Sequence, residues 1–580
     1  MEKQEDTITI VPASEFQKLS HLSNTNIGVM GHIDSGKTAL CKILTQTPST
    51  ASLDKNPQSK EQGITIDIGF SSFSLRISEN QYKQYTLVDC PGHASFIKSV
   101  IAGASIIDLM ILVIDIKKGI QVQTAECIAL GEIMRLKVII VLNKCDTLKD
   151  GFNSKMIEKS KVGLKNLFEK TSFANKSSFE IIEFSCKEIN QNSLDKLLKA
   201  IVRLTGDVKR DMAKEEKTVM VCDHCFNIKG KGTVLTGTVT KGKLAIDDEI
   251  ELPEHGITKK VKSIQVFRKN VKSVQKGDRA AVLVSQLNAE EIERCLITSK
   301  GLVKKASALV TKLNFCSYYK GSIASRSKFH ISIGHVNIMA DVWLFCSDSK
   351  DFETLQALKE KLDNFDIHKA ESIKYRFDKE NRFRFIKQVD KEKVYFPDDS
   401  LTYKELEDKG QYVMALLVFP KPLFLLEHSF LLGSRFDFQI DKKNCRIAFW
   451  GIGLDELPEA PKNDDIKLFS IKKRYGTIEK FFNPYTAILK DIFKKETNLT
   501  YFLNKEVYVE GTELVGRIQS GFGSSGKVKV VFNEDIKNNH PDIIGMKARK
   551  PPQGAGITLK YDYRIVVHAR LYVDWTDFRA

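Results

Sequence analysis

"NIGVMGHIDSGKT", residues 26–38, is the stretch on which the fold turns. Asn26 to Met30 reads as a short buried strand, Gly31 to Thr38 fits GxxxxGK[ST], and the "ALCKIL" that follows has helical spacing. A glycine-rich loop between a strand and a helix is a phosphate cradle. Gly31 and Gly36 let the backbone curl so that the N–H groups of Asp34, Ser35 and Gly36 can face phosphate oxygens. Lys37 adds a point charge at the β- and γ-phosphates, and Thr38 offers its hydroxyl to Mg2+.

Further apolar runs follow at "YTLVDC", "LMILVID" and "VIIVLNKCD", with helical patterns between them, and that alternation predicts a parallel α/β sheet. Chemistry gathers at the strand ends. In "VDCPGH" (88–93), Asp89 can hold the magnesium shell through water, Gly92 lets the backbone approach a γ-phosphate, and His93 is placed to orient a water. In "NKCD" (143–146), Asp146 can accept two hydrogen bonds from the guanine edge that adenine cannot donate; a carboxylate left unpaired there is costly, so GTP is selected over ATP. Asn143 and Lys144 are expected to read guanine with it. "SCK", with Ser185, Cys186 and Lys187, could place the backbone N–H of Cys186 at the guanine carbonyl. The four motifs in this order predict a GTPase.

Beyond this unit the pattern changes. Residues 1–22 read as a polar arm, 23–210 as the GTPase domain, closed by the helix "SLDKLLKAIVRL" (193–204), and the charged "GDVKRDMAKEEKT" (206–218) as a linker. From 219 the apolar period falls from 3.6 to 2, with glycine turns, which predicts a β-barrel over 217–300. A second barrel is expected over 301–465, with a charged, helical-looking insertion at about 350–410, followed by a strand-rich C-terminal domain over 466–580. The expected fold is multidomain: an α/β P-loop GTPase domain, two β-barrels and a strand-rich C-terminal domain.

Composition agrees with that reading. A chain of 580 residues, at about 100–200 residues per domain, holds several domains. A formal net charge of +16 favours a polyanionic partner, and the stretch 471–580 concentrates it, with 19 Lys and Arg against 12 Asp and Glu. The most apolar run, "SVIAGASIIDLMILVIDI" (99–116), contains Asp108 and Asp115 and reads as a helix end and a buried strand, so no membrane partner is expected. The opening residues lack the features of a signal peptide. Eleven scattered cysteines read as free thiols in a reducing compartment, which makes a cytoplasmic location the expectation.

Taken together, "GHIDSGKT", "GITID" (63–67), "DCPGH", "NKCD" and "GKGTVLTGTV" (230–239) resemble the translational GTPases of the elongation factor Tu type. Within these, "STASLDKNPQSKEQGITIDIGFSSF", "DCPGHASFIKSVIAGASIIDLMILVIDIKKGIQVQTAE" and "KKETN" (494–498) look like the eukaryotic and archaeal selenocysteine-specific elongation factors. The resemblance implies GTP and Mg2+ as ligands, and Thr65 of "GITID" as the switch threonine that binds Mg2+ with Thr38 and Asp89. It makes His93 the hydrolytic histidine. It implies a monomer that delivers selenocysteinyl-tRNA to a ribosome paused at a recoded UGA, with the selenocysteine insertion element machinery reached through a separate binding protein. Gln62 departs from the family's usual Arg, Cys145 from its Ile or Val, and Ser35 from the His of elongation factor Tu's own loop. Two rivals are an initiation-factor-type tRNA carrier, which a zinc knuckle in the GTPase domain would favour, and a non-hydrolysing RNA-binding adaptor, against which His93 and Thr65 stand.

"VMVCDHCFNI" (219–228) needs its own account. A structural zinc takes four ligands, and no second CxxC pair exists in the chain. A strand with Val219, Val221, Asp223 and Cys225 inward would bury Asp223 without a partner, and such a carboxylate wants a cation. In the family that this chain resembles, an Asp and a His at the start of this barrel and an Arg further along form the aminoacyl pocket; the matching positions are Asp223, His224 and Arg279. A selenol is more acidic than a thiol, whose free pKa is about 8.5, so at neutral pH it is largely anionic. Arg279 and a His kept protonated by Asp223 would then hold the selenium.

Overall fold

A computed structural model of the chain describes residues 8–12, 15, 22, 24–45, 47–48, 69–78, 81–90, 106–153, 155–171, 173, 179–206, 217–292, 294–347, 382–397, 399–436, 445–459, 467–509, 513–539 and 565–572. They group into two compact units. The first includes Met1–Trp343 and Met414–Ala460, and the second Leu344–Phe352, Asp378–Val413 and Pro461–Ala580. No helix among the described residues is long and apolar enough to cross a membrane.

The first unit opens with a twisted sheet. Asn24–Gly31 lies between Gln81–Asp89 and Leu109–Asp115 in parallel pairing, and the parallel series continues through Lys137–Asn143 to Phe179–Glu183. Gly69–Ser78 adds an antiparallel strand beyond Gln81–Asp89. The near-continuous apolar strands follow from helices packing on the sheet. The final helix, Gln191–Thr205, shows how: the Asn190 side chain caps it by accepting from Asn192 and Ser193 N–H, while Leu197, Leu198, Ile201 and Leu204 bury one stripe. Strand C-termini carrying Gly31, Asp89 and Asn143 share one edge, where open α/β sheets bind ligands.

The expected N-terminal arm is more than an arm. Thr9 and Ile10 pair with Arg76 and Leu75 as an edge strand, and Val11 is buried in the core of the barrel that follows, beside Leu235 and Val282. The run "TITIV", in which every residue is β-branched, suits that strand.

That barrel is an antiparallel sheet in the order 257–260, 249–252, 295–298, 219–228, 232–241, 279–284, 263–266 and 269–271. The next strands of this unit are also antiparallel: Lys304–Lys312 pairs with Val413–Leu425 and with Ile447–Leu457, Phe430–Ser434 pairs with Ile447–Leu457, and Ser327–Ile333 with Phe430–Ser434. Arg446, in this second barrel, makes a buried two-point ion pair with Glu126 of the GTPase helix Val122–Ile133, through its Nε and Nη at 2.7 Å each. Neither charge faces solvent, so each depends on the other.

The second unit closes on itself. Lys467–Asn483, Thr486–Lys490, Lys527–Phe532, Val515–Phe522, Glu506–Val509 and Ile565–Tyr572 pair in that order, and the last returns to the first. Ala487, Leu489, Val507, Ile518, Val528 and Val530 fill its core. The helical insertion expected at about 350–410 takes another form where it is described: Arg382–Ile386, Gln388–Val389, Lys393–Tyr395 and Ser400–Thr402 are strands, and only Tyr403–Asp408 is helix. Parallel pairing of Arg382–Arg384 with Lys467–Phe469 draws this segment into the C-terminal unit rather than the second barrel. The expected linker and the rest of the insertion lie largely outside the described residues.

Candidate functional site

The loop from Gly31 to Gly36 is bent by backbone that ordinary residues rarely adopt, with φ of 142° at Gly31 and 100° at Gly36. A Cβ on Gly31 would fall 2.3 Å from the carbonyl oxygen of Val113, and one on Gly36 2.1 Å from Asn143 Nδ2. Asp34 sits at a φ of 57°, and helix Lys37–Leu44 starts immediately after the loop. Lys37 Nζ donates to the carbonyl of His32 at 2.7 Å, which folds the ammonium back over the cradle. Burial pulls that ammonium below its usual pKa, against the opposing pull of Asp89. An anion arriving here finds a desolvated cation.

Thr38 Oγ1 donates to Asp89 Oδ2 at 2.7 Å, and Asp89 is fully buried. Two hard oxygen donors side by side at the mouth of a phosphate loop suit Mg2+. Thr65, Gly92 and His93 lie outside the described residues.

Three loops meet where the base is expected. Asn143 donates from Nδ2 to the Ser35 carbonyl at 2.8 Å, and its Oδ1 accepts from the N–H of Cys186 at 3.1 Å. Asn143 therefore braces the phosphate loop against the "SCK" turn, and the Cys186 N–H assigned to the guanine carbonyl is spent on that brace. Ser185 Oγ donates to Asp146 Oδ1 at 2.6 Å and accepts from the N–H groups of Lys187 and Glu188. Lys144, at a φ of 67°, pairs with Asp115 at 2.9 Å. Burial alone would raise the Asp115 carboxyl, yet Lys144 and the N–H groups of Lys117 and Lys118 hold it below its usual range.

In the first barrel the pairing slips between Thr236 and Gly237: Thr236 faces His224, Gly237 faces Cys222, and Asp223 is the extra residue of a β-bulge. The bulge is the reason that simple alternation does not fit this strand. Met220 and Cys222 point into the core, Cys225 packs against it, and Asp223 is turned to the side. There its carboxylate takes Arg279 at two points, 2.5 Å from Nη1 to Oδ2 and 3.0 Å from Nη2 to Oδ1, and accepts from Thr236 Oγ1 at 3.0 Å. The carboxylate that the expectation set beside His224 is thus taken up by Arg279 and Thr236. Arg279 is 5% exposed and lines a small cavity with Thr236, Gln265, Phe267 and Arg268.

The cysteines of "CDHC" face away from this chemistry. Cys222 stands opposite Cys295 across the ladder, and that neighbour together with burial pushes its thiol well up; burial and Cys295 push Cys225 to about 11. Zinc needs thiolates. Among the described residues no cluster of three or more His, Cys, Asp or Glu could hold a metal ion.

Sequence reasoning missed the residues that reach these sites from afar. Asn24, Asn26 and Phe70 of the GTPase domain contact the Gly277–Arg279 turn, and Glu126 contacts Arg446; no local pattern marks a partner that distant. In the C-terminal barrel, Phe482, 63% exposed, has Lys529 Nζ 5.5 Å from its ring centre, and Lys480 lies 5.4 Å from that of Phe522.

The P-loop sheet and the barrel that follows it define a GTPase of the translational class. Residues 22–207 match the family model for the elongation factor Tu GTP binding domain, and 232–297 that for elongation factor Tu domain 2. Residues 310–451 match the third domain of eukaryotic selenocysteine-specific elongation factors, and 464–567 the eEFSec C-terminal RIFT domain. The chain is 35% identical over 561 residues to the selenocysteine-specific elongation factor of Mus musculus, covering 93% of each chain. It is 36% identical over 325 residues to that of Methanocaldococcus jannaschii, across 55% of this chain and 66% of the relative. The chain belongs to the selenocysteine-specific elongation factors. The crystal structure of translation elongation factor SelB from Methanococcus maripaludis with a GTP analogue shares its fold, at a TM-score of 0.67 and 23% identity, over 95% of this chain and 99% of that one.

Proposed function

We propose that the GTP-bound chain carries selenocysteinyl-tRNA to a ribosome paused at a recoded UGA and hydrolyses GTP on codon recognition, acting as a cytoplasmic monomer. The observation that carries this reading is the Arg279–Asp223 pair at the bulge: a buried guanidinium with further N–H donors to spare beside a cavity. A selenolate accepts from those donors as an anion, whereas a serine hydroxyl accepts only as a neutral oxygen and so more weakly.

For hydrolysis, the cradle of Asp34, Ser35 and Gly36 with Lys37 holds the phosphates, and Gly92 lets the backbone approach the γ-phosphate. Thr38, Asp89 and Thr65 would hold Mg2+, which when bound neutralises charge on the β- and γ-phosphates. His93 orients the attacking water. Asp146 reads the guanine edge within the loops braced by Asn143, Lys144, Ser185, Cys186 and Lys187. Catalysis is positioning and electrostatic stabilisation.

Arg279→Ala is expected to weaken binding of selenocysteinyl-tRNA by about 10- to 100-fold, the scale of hydrogen bonds to a charged group. Binding of the same tRNA charged with serine changes far less, and Cys222→Val with Cys225→Ala changes neither. Dissociation constants measured in the GTP-analogue state check this; equal losses for both aminoacyl groups defeat the pocket assignment.

The aromatic and basic outer face of the C-terminal barrel supports a contact with the insertion-element machinery, through RNA stacked on Phe482 and Phe522. Because Lys467–Phe469 pairs with Arg382–Arg384, truncating the tail would also disturb that segment, so point substitutions are the sharper probe. Phe482→Ala combined with Lys529→Ala is expected to cut readthrough of a recoded UGA by about tenfold while GTP binding is kept. Normal readthrough would show that this face is dispensable.

A further inference from the structure

Arg279 belongs to the first barrel, but the GTPase domain shapes its surroundings. Its guanidinium carbon lies 3.4 Å from the ring centre of Phe70, a side chain 3% exposed at the start of strand Gly69–Ser78. Two residues before Arg279, the carbonyl of Gly277 accepts from the side-chain amides of Asn24, at 2.8 Å, and Asn26, at 3.2 Å. Thr86 Oγ1 donates to Asn24 Oδ1 at 2.8 Å, which fixes which end of the Asn24 amide faces Gly277. The guanidinium is thus closed on one face by a ring from the GTPase domain and along one edge by Asp223, with its own backbone tied to the strand that enters the phosphate loop. A planar cation stacked and paired in this way cannot turn, so the direction of its remaining N–H donors is set.

The same ring stands on the strand paired with the one that carries Asp89. Phe70 stands opposite Val88 in the antiparallel ladder, and Gly69 opposite Asp89. The residues that carry the carboxylate beside Thr38 and the ring stacked on Arg279 thus sit on adjacent rungs of one strand pair, their side chains on opposite faces of the sheet.

We propose that Phe70 is a positioning residue for selenocysteine recognition: it orients Arg279 from the GTPase side, so that discrimination between selenocysteine and serine is built across two domains and shares a strand pair with the nucleotide site. This rests on the reading of Arg279 as the aminoacyl contact. Phe70 touches neither tRNA nor nucleotide in this role and acts through the guanidinium.

The test uses the full chain with a GTP analogue and one tRNA body charged with either selenocysteine or serine. Phe70→Leu keeps a buried apolar side chain and removes the ring. Its selenocysteinyl-tRNA affinity is expected to fall by about tenfold with seryl-tRNA affinity unchanged, since the lost contact is a desolvated cation–π stack. In an Arg279→Ala background the same substitution is expected to have no further effect on selectivity, the signature of two residues acting as one unit. A ring whose role was only to pack would lower both affinities together. Unchanged selectivity in Phe70→Leu, equal losses for both aminoacyl groups, or additive effects in the double variant overturn the proposal. If Arg279→Ala alone leaves selectivity intact, the pocket reading falls and takes this proposal with it. If Arg279→Ala abolishes selectivity and Phe70→Leu does not, only the role of Phe70 falls.

Discussion

Asp146→Asn is expected to change the preferred nucleotide from GTP to xanthosine triphosphate, shifting the ratio of the two affinities by about 10⁴-fold, the scale on which a site built for hydrogen bonds rejects a mismatched partner. The geometry explains why the switch should be clean. Asp146 Oδ1 already accepts from Ser185 Oγ, and Ser185 in turn accepts from the N–H groups of Lys187 and Glu188. An amide can keep its oxygen towards Ser185, so the turn that carries it stays in place. Its nitrogen then faces the base, where guanine offers only donors and xanthine offers a carbonyl. Competition between the two triphosphates for the purified chain, followed by a fluorescent nucleotide, measures the ratio. A variant that loses both nucleotides equally would place Asp146 in loop structure rather than in base reading.

His93→Ala is expected to lower ribosome-stimulated GTP hydrolysis by about 10²–10⁴-fold, the usual contribution of a residue that orients or relays the proton of the attacking water. The loss should fall on turnover, because in the proposed site Lys37 and the loop backbone hold the phosphates and residues around Asp146 hold the base. Single-turnover hydrolysis with programmed ribosomes separates the two, with GTP affinity measured alongside. Undiminished turnover would remove His93 from the reaction.

Much of the nucleotide site was legible in the sequence because its chemistry is local. Gly31, Gly36, Lys37 and Thr38 lie within eight residues, and the backbone geometry they need is dictated by the glycines themselves, whose φ values of 142° and 100° exclude most other residues. The order of domains was legible for a similar reason, since a change of apolar period is visible within one window. Asp223 was half legible. Its need for a cation followed from burial, but the bulge that aims it at Arg279 depends on where the facing strand slips at Thr236 and Gly237, and a single strand does not reveal its register. The residues 382–402 were misread because their charge obscured short strands whose partners are spread along the chain: Arg382–Arg384 pairs with Lys467–Phe469 and Phe383–Ile386 with Leu344–Ser347, while 388–389, 393–395 and 400–402 pair among themselves. Asn143 and Cys186 were assigned to the base from their motif, while the hydrogen bond between them serves to brace one loop on another.

The short strand at Thr9–Ile10 bears on the order in which the chain can be assembled during synthesis. Its partners, Arg76 and Leu75, are translated soon afterwards, but the core that buries Val11 begins with Met220 and is completed only with Cys295 and Ile297. At about 5–20 residues per second, Val11 waits on the order of tens of seconds for that core to leave the ribosome. The GTPase sheet can close in the meantime, leaving an apolar residue at its margin as a landing point for the barrel. Nascent chains stopped before Met220 and after Ile297 should therefore differ in how readily a protease cuts near Val11.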